Sequence, residues 1–189
     1  MAFAPIGRRT IRFAPAQGDG IEHLDIVPDA DGVAVTSVVA GSYEGTPFGL
    51  RYRLALDAGW RLRRAELGTT AGAHLLLEAD GAGRWTDGAG VVRDDLAGAI
   101  DIDIVATPFT NTLPIRRLAF SRGESRDIAA AWISLPDFAV QREPQRYTAL
   151  EPGRLYRFLA LDGGFTADLP VDEDGIVTDY PGLFRRVSS

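Results

Sequence analysis

The chain has 189 residues, enough for one domain that buries a sizeable apolar core. Apolar residues make up 46% and charged residues 24% of the sequence, which excludes collagen-like, disordered and disulfide-scaffold proteins. The formal net charge is −6, whereas proteins that bind nucleic acid neutralise phosphates with a basic surface. We therefore expect no nucleic acid partner.

Residue usage narrows the chemistry further. All 20 basic residues are arginine and cysteine is absent, which excludes a catalytic lysine, a thiol nucleophile and a disulfide. No eighteen uncharged apolar residues run together, so we expect no integral membrane association. The opening MAFAPIGRRTIRF lacks the continuous apolar segment of an export signal, and we expect a cytoplasmic protein.

Apolar and polar residues alternate repeatedly, which predicts a mainly β protein of antiparallel strands. In 50–56 the even positions are leucine or tyrosine, and Trp60 opens the predicted return strand after a turn at 57–59. In 99–106, isoleucines alternate with Asp101 and Asp103. Further strands are predicted at 9–15, 21–28, 32–43, 72–79, 126–134, 138–149, 154–162, 165–171 and 175–180.

Two pairs of segments resemble each other. YRLALDAGW (52–60) is similar to YRFLALDGGF (156–165), and LLEADGAGRWTD (76–87) is similar to DLPVDEDGIVTD (168–179). The similarity indicates either an internal repeat, approximately 20–105 and 106–187, or hairpins of one kind used twice. No low-complexity linker separates the halves, so we expect a single domain over 1–189.

About ten antiparallel strands approach the number at which an open sheet curls, splits or closes. A curled sheet would have a concave apolar face able to hold an acyl chain. The alternative is a two-layer core in which the same side chains pack against each other. The aromatic candidates for either arrangement are Trp60, Trp85, Trp132, Phe138 and Phe158.

Support for catalysis is weak. Asp101 and Asp103 place their carboxylates on one side of a strand about 7 Å apart, which suits an acid and base pair but is also typical of an exposed polar face. His23 and His74 have no partner at metal-ligand spacing, and no GxSxG, GxGxxG or Walker motif occurs. We predict no metal, no cofactor and no catalytic residue.

The segment ATPFTNTLPIRRLAF (106–120) is rich in threonine, asparagine and proline, which predicts a rigid loop. Pro114 disfavours a helical Leu113, and the chain then either starts a short helix or stays extended. Arg116 and Arg117 suit a phosphate or sugar head group; the alternative is a purely structural crossing loop. In an extended continuation Arg116 would face the mouth of the concavity, unless it forms an internal ion pair with Asp101, Asp103 or Glu22.

The stretch DIDIVATPFTNTLPIRRL (101–118) resembles the signature of a bacterial family labelled glycolipid-binding. The resemblance continues through GIEHL (20–24), PFGLRYRLALDAGWRLRRAEL (47–67), GRWTD (83–87), QRYTAL (145–150) and DEDGIVTDYPGLFRRV (172–187). That family is similar in fold to the half-barrel lipoprotein carriers of the bacterial envelope. Ala99 stands where the family pattern often has cysteine, and residues 1–19 lack an expected tryptophan.

The resemblance implies a single curved antiparallel sheet, a half-barrel of two structural repeats with at most short helices. It also implies non-catalytic binding of a lipid or glycolipid in the apolar concavity. The alternatives are a hydrolase acting on a lipid or sugar conjugate through paired carboxylates, or an interaction module without a small ligand. The candidate ligand-binding residues are Glu22, Tyr52, Trp60, Asp101, Asp103, Asn111, Arg116, Arg117 and Tyr147.

Overall fold

The structure, a computed structural model, describes residues 3–187. The first two and last two residues of the domain predicted over 1–189 lie outside the described residues. The described part is mainly β, as predicted, and its one α-helix is six residues long. The strands belong to two sheets, however, and the prediction of a single sheet is wrong.

The larger sheet has nine strands in the order β13-β14-β1-β2-β3-β4-β5-β6-β7. Its strands are β1 (Arg9–Pro15), β2 (Ile21–Pro28), β3 (Gly32–Tyr43), β4 (Thr46–Asp57), β5 (Leu62–Thr69), β6 (His74–Ala79), β7 (Trp85–Asp87), β13 (Asp179–Tyr180) and β14 (Phe184–Val187). Strands β1 to β7 follow one another as antiparallel neighbours, and the end of the chain returns to pair with β1.

The smaller sheet has five strands in the order β12-β11-β10-β9-β8 and is curled. Its strands are β8 (Asp101–Ile104), β9 (Ser125–Ile133), β10 (Val140–Glu151), β11 (Leu155–Ala160) and β12 (Thr166–Pro170). Between β8 and β9 the chain forms a 3-10 turn (Phe109–Asn111) and the helix α1 (Thr112–Arg117). Another 3-10 turn (Asp94–Leu96) precedes β8.

Strands β8 and β9 are parallel, which corrects the prediction of a fully antiparallel sheet. Parallel neighbours need a crossover of a dozen or more residues, and residues 105–124 with α1 supply it. The sequence predicted the strand at 99–106 but not that the following loop returns the chain to the same end. Helix α1 therefore lies against the smaller sheet.

The apolar faces form two clusters of buried side chains. One lies between the sheets and joins Leu54 and Leu67 of the larger sheet to Ile102, Ile104 and Ala131 of the smaller. The other lies on the opposite face of the smaller sheet, where Ile115 of α1 packs with Tyr147, Tyr156 and Phe158. Most of the apolar residues that could line a concavity therefore pack against each other in these clusters.

The predicted bounds of the first three strands are confirmed, at 9–15, 21–28 and 32–43. The prediction that Pro114 keeps Leu113 out of a helix is wrong, since α1 includes both. Pro114 is the third helical residue, where a backbone N–H would have no intrahelical acceptor, so the proline costs no hydrogen bond.

One turn geometry recurs in the hairpins. Asp57, Asp80, Asp87 and Asp172 each accept, through Oδ1, backbone N–H bonds from the second and fourth residues that follow. The third following residue has positive φ in every case and is glycine in three of the turns, Gly83, Gly90 and Gly175. The turn that begins at Asp57 has Trp60 at this position, with φ +63°. Trp60 is thus a turn residue, and the prediction that it opens a strand is wrong.

The left-handed backbone at Trp60 is unusual because a side chain there costs about 1–2 kcal/mol that glycine avoids. Bulky residues in this conformation persist only where the surroundings hold them. The indole of Trp60 is buried, and packing within the first cluster offsets the cost.

Two of these turns allow a direct test of backbone strain. Gly90→Ala should lower the free energy of unfolding by about 1–2 kcal/mol, because φ is +81° and a Cβ would meet nothing within 4 Å. Gly83→Ala should cost more, since its Cβ would also lie 2.8 Å from the Cα of Gly98. Urea denaturation of both variants measures the difference. Equal losses of unfolding free energy would show that the backbone at Gly98 moves aside at no cost.

Candidate ligand-binding groove

The curled face of the smaller sheet is open at one end, where it forms a groove of about 290 Å³. Its floor is built from strands β8 to β11, and its rim from the β11–β12 turn and the residues around β13 and β14. The lining includes Asp103, Thr107, Trp132, Glu143, Phe158, Ala160, Phe165, Tyr180, Leu183 and Phe184. We refer to this site as the groove.

Strand register explains why the floor residues share a face. Asp103 of β8 is the direct neighbour of Trp132 in β9, and Glu143 of β10 neighbours Ala130. Gln145 comes two residues after Glu143, so both side chains point to one side of the sheet. Polar side chains therefore line the end of a face whose other end is filled by the second apolar cluster.

Two carboxylates face the groove. Asp103 accepts hydrogen bonds from the Thr110 hydroxyl at 3.1 Å and the Gln145 amide at 2.7 Å. Glu143 accepts one from Gln141 at 3.2 Å. Burial raises the pKa of both groups, and the proximity of Asp103 raises the pKa of Glu143 further. No arginine is among the residues that line the groove.

The other wall of the groove is aromatic. The rings of Phe158, Phe165 and Tyr180 lie 6.0–6.3 Å from one another between centroids. Phe165 remains 44% exposed, and Leu183 at the rim is 42% exposed. The groove thus combines hydrogen-bond acceptors on one side with an accessible apolar surface on the other.

A second carboxylate site lies beneath the loop of residues 105–112, which we call the polar loop. Glu22 of β2 accepts hydrogen bonds from Ser37 at 2.7 Å, Tyr52 at 2.5 Å and Thr107 at 2.6 Å. The Thr107 hydroxyl also accepts the backbone N–H of Phe109 at 3.0 Å. Burial raises the pKa of Glu22, and its three hydroxyl partners oppose that increase.

The remaining polar side chains of this region also have internal partners. Arg117 donates from Nε and Nη2 to the two oxygens of Asp101, at 3.1 and 2.5 Å, and this ion pair is almost fully buried. Tyr147 donates to Oδ1 of Asn111 at 2.8 Å. The polar loop is therefore held rigidly from both sides, as its composition predicts.

Arg116 lies elsewhere. Its guanidinium carbon is 4.1 Å from the ring centroid of Trp60, and Nη2 donates to the carbonyl of Ala4 at 2.8 Å. Because residues 112–117 are helical, Arg116 and Arg117 point in different directions, and Arg116 does not line the groove. The prediction that Arg116 faces the mouth of the concavity is wrong, since it assumed an extended chain. The expected ion pair to Asp101 is made by Arg117 instead.

The nine candidate residues thus fall into four contacting pairs and one lining residue. Glu22 contacts Tyr52, Asp101 contacts Arg117, Asn111 contacts Tyr147, and Trp60 contacts Arg116, whereas Asp103 lines the groove. Sequence reasoning missed Glu143, Phe165 and Tyr180. Glu143 had a signal, because it alternates with Gln145 and Tyr147 on what proves to be the inward face of β10.

Other kinds of site find no support in the described residues. Within residues 3–187 no cluster of three His, Cys, Asp or Glu side chains is arranged to hold a metal ion. No helix of that region has the length and apolar character that crossing a membrane requires.

Comparison with known proteins agrees with the resemblance seen in the sequence. A family model described as "Putative glycolipid-binding" matches residues 10–186. The crystal structure of a DUF1089 family protein from Pseudomonas aeruginosa is similar, with 37% identity and a TM-score of 0.81. The similarity covers 99% of this chain and 98% of that one. A search of curated proteins found no match.

The pH dependence of stability tests the burial of Glu22. An unfolded chain loses this proton near the ordinary value of 4.5, whereas the folded chain keeps it to higher pH because burial raises the pKa. Wild type should therefore lose stability relative to Glu22→Gln as pH rises above 4.5, and the other carboxylates cancel in the difference. Urea denaturation of both proteins from about pH 4 to pH 8 measures it. A constant difference would contradict the buried assignment.

The buried ion pair gives a second test. Arg117→Met leaves the Asp101 carboxylate buried without its partner and should cost about 3–5 kcal/mol of unfolding free energy. The double variant Asp101→Asn with Arg117→Met removes that charge and should recover part of the loss. Thermal and urea unfolding compare the two, and a double variant no more stable than Arg117→Met would show that packing dominates.

Proposed function

Because the chain belongs to the family described as "Putative glycolipid-binding", we propose that it binds an amphiphile with a sugar head in the groove. The observation that carries the proposal is the pairing of two carboxylates with an aromatic wall in one concave site. Family membership alone would not indicate where the ligand binds. In the proposal that place is the groove, because its lining offers both polar and apolar contacts.

The chemistry of the groove matches a sugar ring. Ionised carboxylates only accept hydrogen bonds, and sugar hydroxyls are donors that Asp103 and Glu143 can receive. The C–H faces of a pyranose are apolar and pack on aromatic rings such as Phe165 and Tyr180. Small-molecule sites in general combine an apolar lining with a few fixed polar groups.

A path for the lipid tail leads away from the groove. Val105 and Phe184 line both the groove and a neighbouring apolar cavity between the larger sheet and the polar loop. Phe13, Val39 and Phe48 form walls of that cavity, whose present volume is about 70 Å³. We place the sugar in the groove and the first carbons of the tail across Phe184. The combined volume holds part of an amphiphile, and the rest of the tail stays outside.

The glycolipid proposal predicts a head-group and chain-length dependence of binding. Octyl β-D-glucoside should bind, and methyl β-D-glucoside should bind roughly 15-fold more weakly than propyl β-D-glucoside, because the first two CH₂ groups of the tail are the buried ones and are worth about 0.8 kcal/mol each. Asp103→Asn and Glu143→Gln should each weaken octyl glucoside binding about 10- to 100-fold, because a hydrogen bond to a charged acceptor is lost. Isothermal titration calorimetry below the micelle concentration measures all three effects.

Matched controls separate a lost contact from a general effect of charge. Asp31→Asn and Glu173→Gln make the same chemical changes at exposed positions outside the groove and should leave affinity unchanged. Equal binding by wild type and both groove variants would reject the groove as the site. Absence of glycoside binding by folded wild type would reject the proposal itself.

Glycoside hydrolysis is the second candidate, and one observation favours it. Asp103 and Glu143 face one groove, and burial raises the pKa of both, as in a carboxyl pair that exchanges protons with a substrate. Asp101, the other carboxylate first considered for that role, is occupied by Arg117. Turnover of aryl glycosides that Asp103→Asn abolishes, with glycoside binding retained, would favour hydrolysis over simple binding.

A further inference from the structure

The guanidinium of Arg116 has buried N–H groups without an acceptor. Nη2 donates to the Ala4 carbonyl, but Nε and Nη1 are shielded from solvent and have no partner among the described residues. Folded proteins rarely leave buried donors unpaired, since each one loses its bonds to water and gains nothing in return. The site is therefore short of a hydrogen-bond acceptor.

Charge is also unmatched around Arg116. Arg9 pairs with Asp172 and Asp174, and Arg186 pairs with Asp172 at 2.8 Å. Asp172 and Asp174 are thus engaged by Arg9 and Arg186, and Arg116 forms no ion pair among the described residues. Burial lowers the pKa of Arg116, and the attraction of Asp174 and Asp172 raises it by a smaller amount. The nearby carboxylates therefore only partly offset the cost of removing this cation from water.

Trp60 gives an independent indication. It takes the left-handed position that is glycine in the three other turns of its kind, and so holds its indole against the guanidinium. Packing of the indole in the first cluster offsets the cost of this backbone, and the same conformation fixes the ring beside Arg116. Strained backbone of this type clusters at ligand sites, where the strain fixes a side chain.

A cavity of about 410 Å³ adjoins this pair of side chains. Trp60, Arg116 and Arg117 line one part of it, and Phe3, Pro5 and Ile6 of the N-terminal segment line another. Asp29 also lines the cavity, where its Oδ1 accepts the backbone N–H groups of Asp31 and Gly32. The segment of residues 3–8 has no regular secondary structure, and the Phe3 ring lies 5.5 Å from the guanidinium carbon.

We propose that Arg116 and Trp60 form a phosphate-binding site, distinct from the groove, against which the N-terminal segment lies as a cover. Phosphate oxygens are the strongest match for guanidinium donors, and a phosphate carries enough charge to neutralise Arg116. The ligand would reach Nε and Nη1 when Phe3 moves aside. Trp60 would keep the guanidinium plane fixed while the ligand binds.

The test uses NMR signals of the wild-type protein. Nε–H of Arg116 and the indole N–H of Trp60 should shift in a saturable way when inorganic phosphate or octyl phosphate is added. Shifts with both probes indicate that the phosphate group itself is recognised, and shifts with octyl phosphate alone indicate a lipid head group. Absence of a saturable shift with either probe overturns the proposal, as does an equal shift with octyl glucoside.

Variants check the assignment. Arg116→Gln should weaken phosphate binding at least about tenfold, whereas Arg122→Gln, an exposed arginine outside the cavity, should not change it. Phe3→Ala should strengthen binding, because the covering ring is gone. Unchanged affinity in Arg116→Gln would overturn the proposal. If that variant does not fold, the wild-type shifts and Phe3→Ala decide, and unchanged affinity in Phe3→Ala would reject the covering role. Loss of glycoside binding leaves these results unaffected, since the sites share no lining residue.

Discussion

The buried carboxylate of Glu22 joins the two sheets. It projects from β2 of the larger sheet and accepts a hydrogen bond from Thr107, the first polar side chain after β8 of the smaller sheet. A buried charge must be hydrogen-bonded, and Ser37, Tyr52 and Thr107 together meet that requirement. The hydrogen bond from Thr107 to Glu22 therefore fixes the position of the polar loop. The loop in turn positions α1, which follows it in the chain, and the strand β8 at the floor of the groove, which precedes it.

The polar loop separates two environments within a few residues. Toward α1, Asp101 is neutralised by Arg117, and the second apolar cluster fills the curl of the sheet. Toward the open end, Asp103 has only neutral hydrogen-bond partners, Thr110 and Gln145, and no cation of the described residues pairs with it. Asp101 and Asp103 thus have different surroundings although they lie two residues apart on one strand. Arg117, the last residue of α1, pairs with Asp101 and not with Asp103.

Local pattern was sufficient for most of the fold. Strand positions could be predicted since alternation and turn residues are local, and the bounds of β1, β2 and β3 agree. The division into two sheets depends on which strands pair: β7 ends the larger sheet, whereas β8 pairs with β9 of the smaller sheet after the crossover through α1. Pairing of distant strands leaves no signature in periodicity, so Glu143 could not be placed beside Asp103 from the sequence.

The candidate ligand-binding residues were chosen because their side chains can form hydrogen bonds or ion pairs. Most of them use that capacity on each other, so residue type alone did not identify which ones face a ligand. A polar side chain inside a sheet protein is first needed to satisfy another buried group, and Asn111, Tyr147, Asp101 and Arg117 do that for each other. Residues left with unused capacity are the informative ones. Asp103 and Glu143 have acceptor capacity without a cation, and Arg116 has donors without an acceptor. These opposite deficits lie on different cavities, which is why a sugar head and a phosphate group would be recognised at separate places.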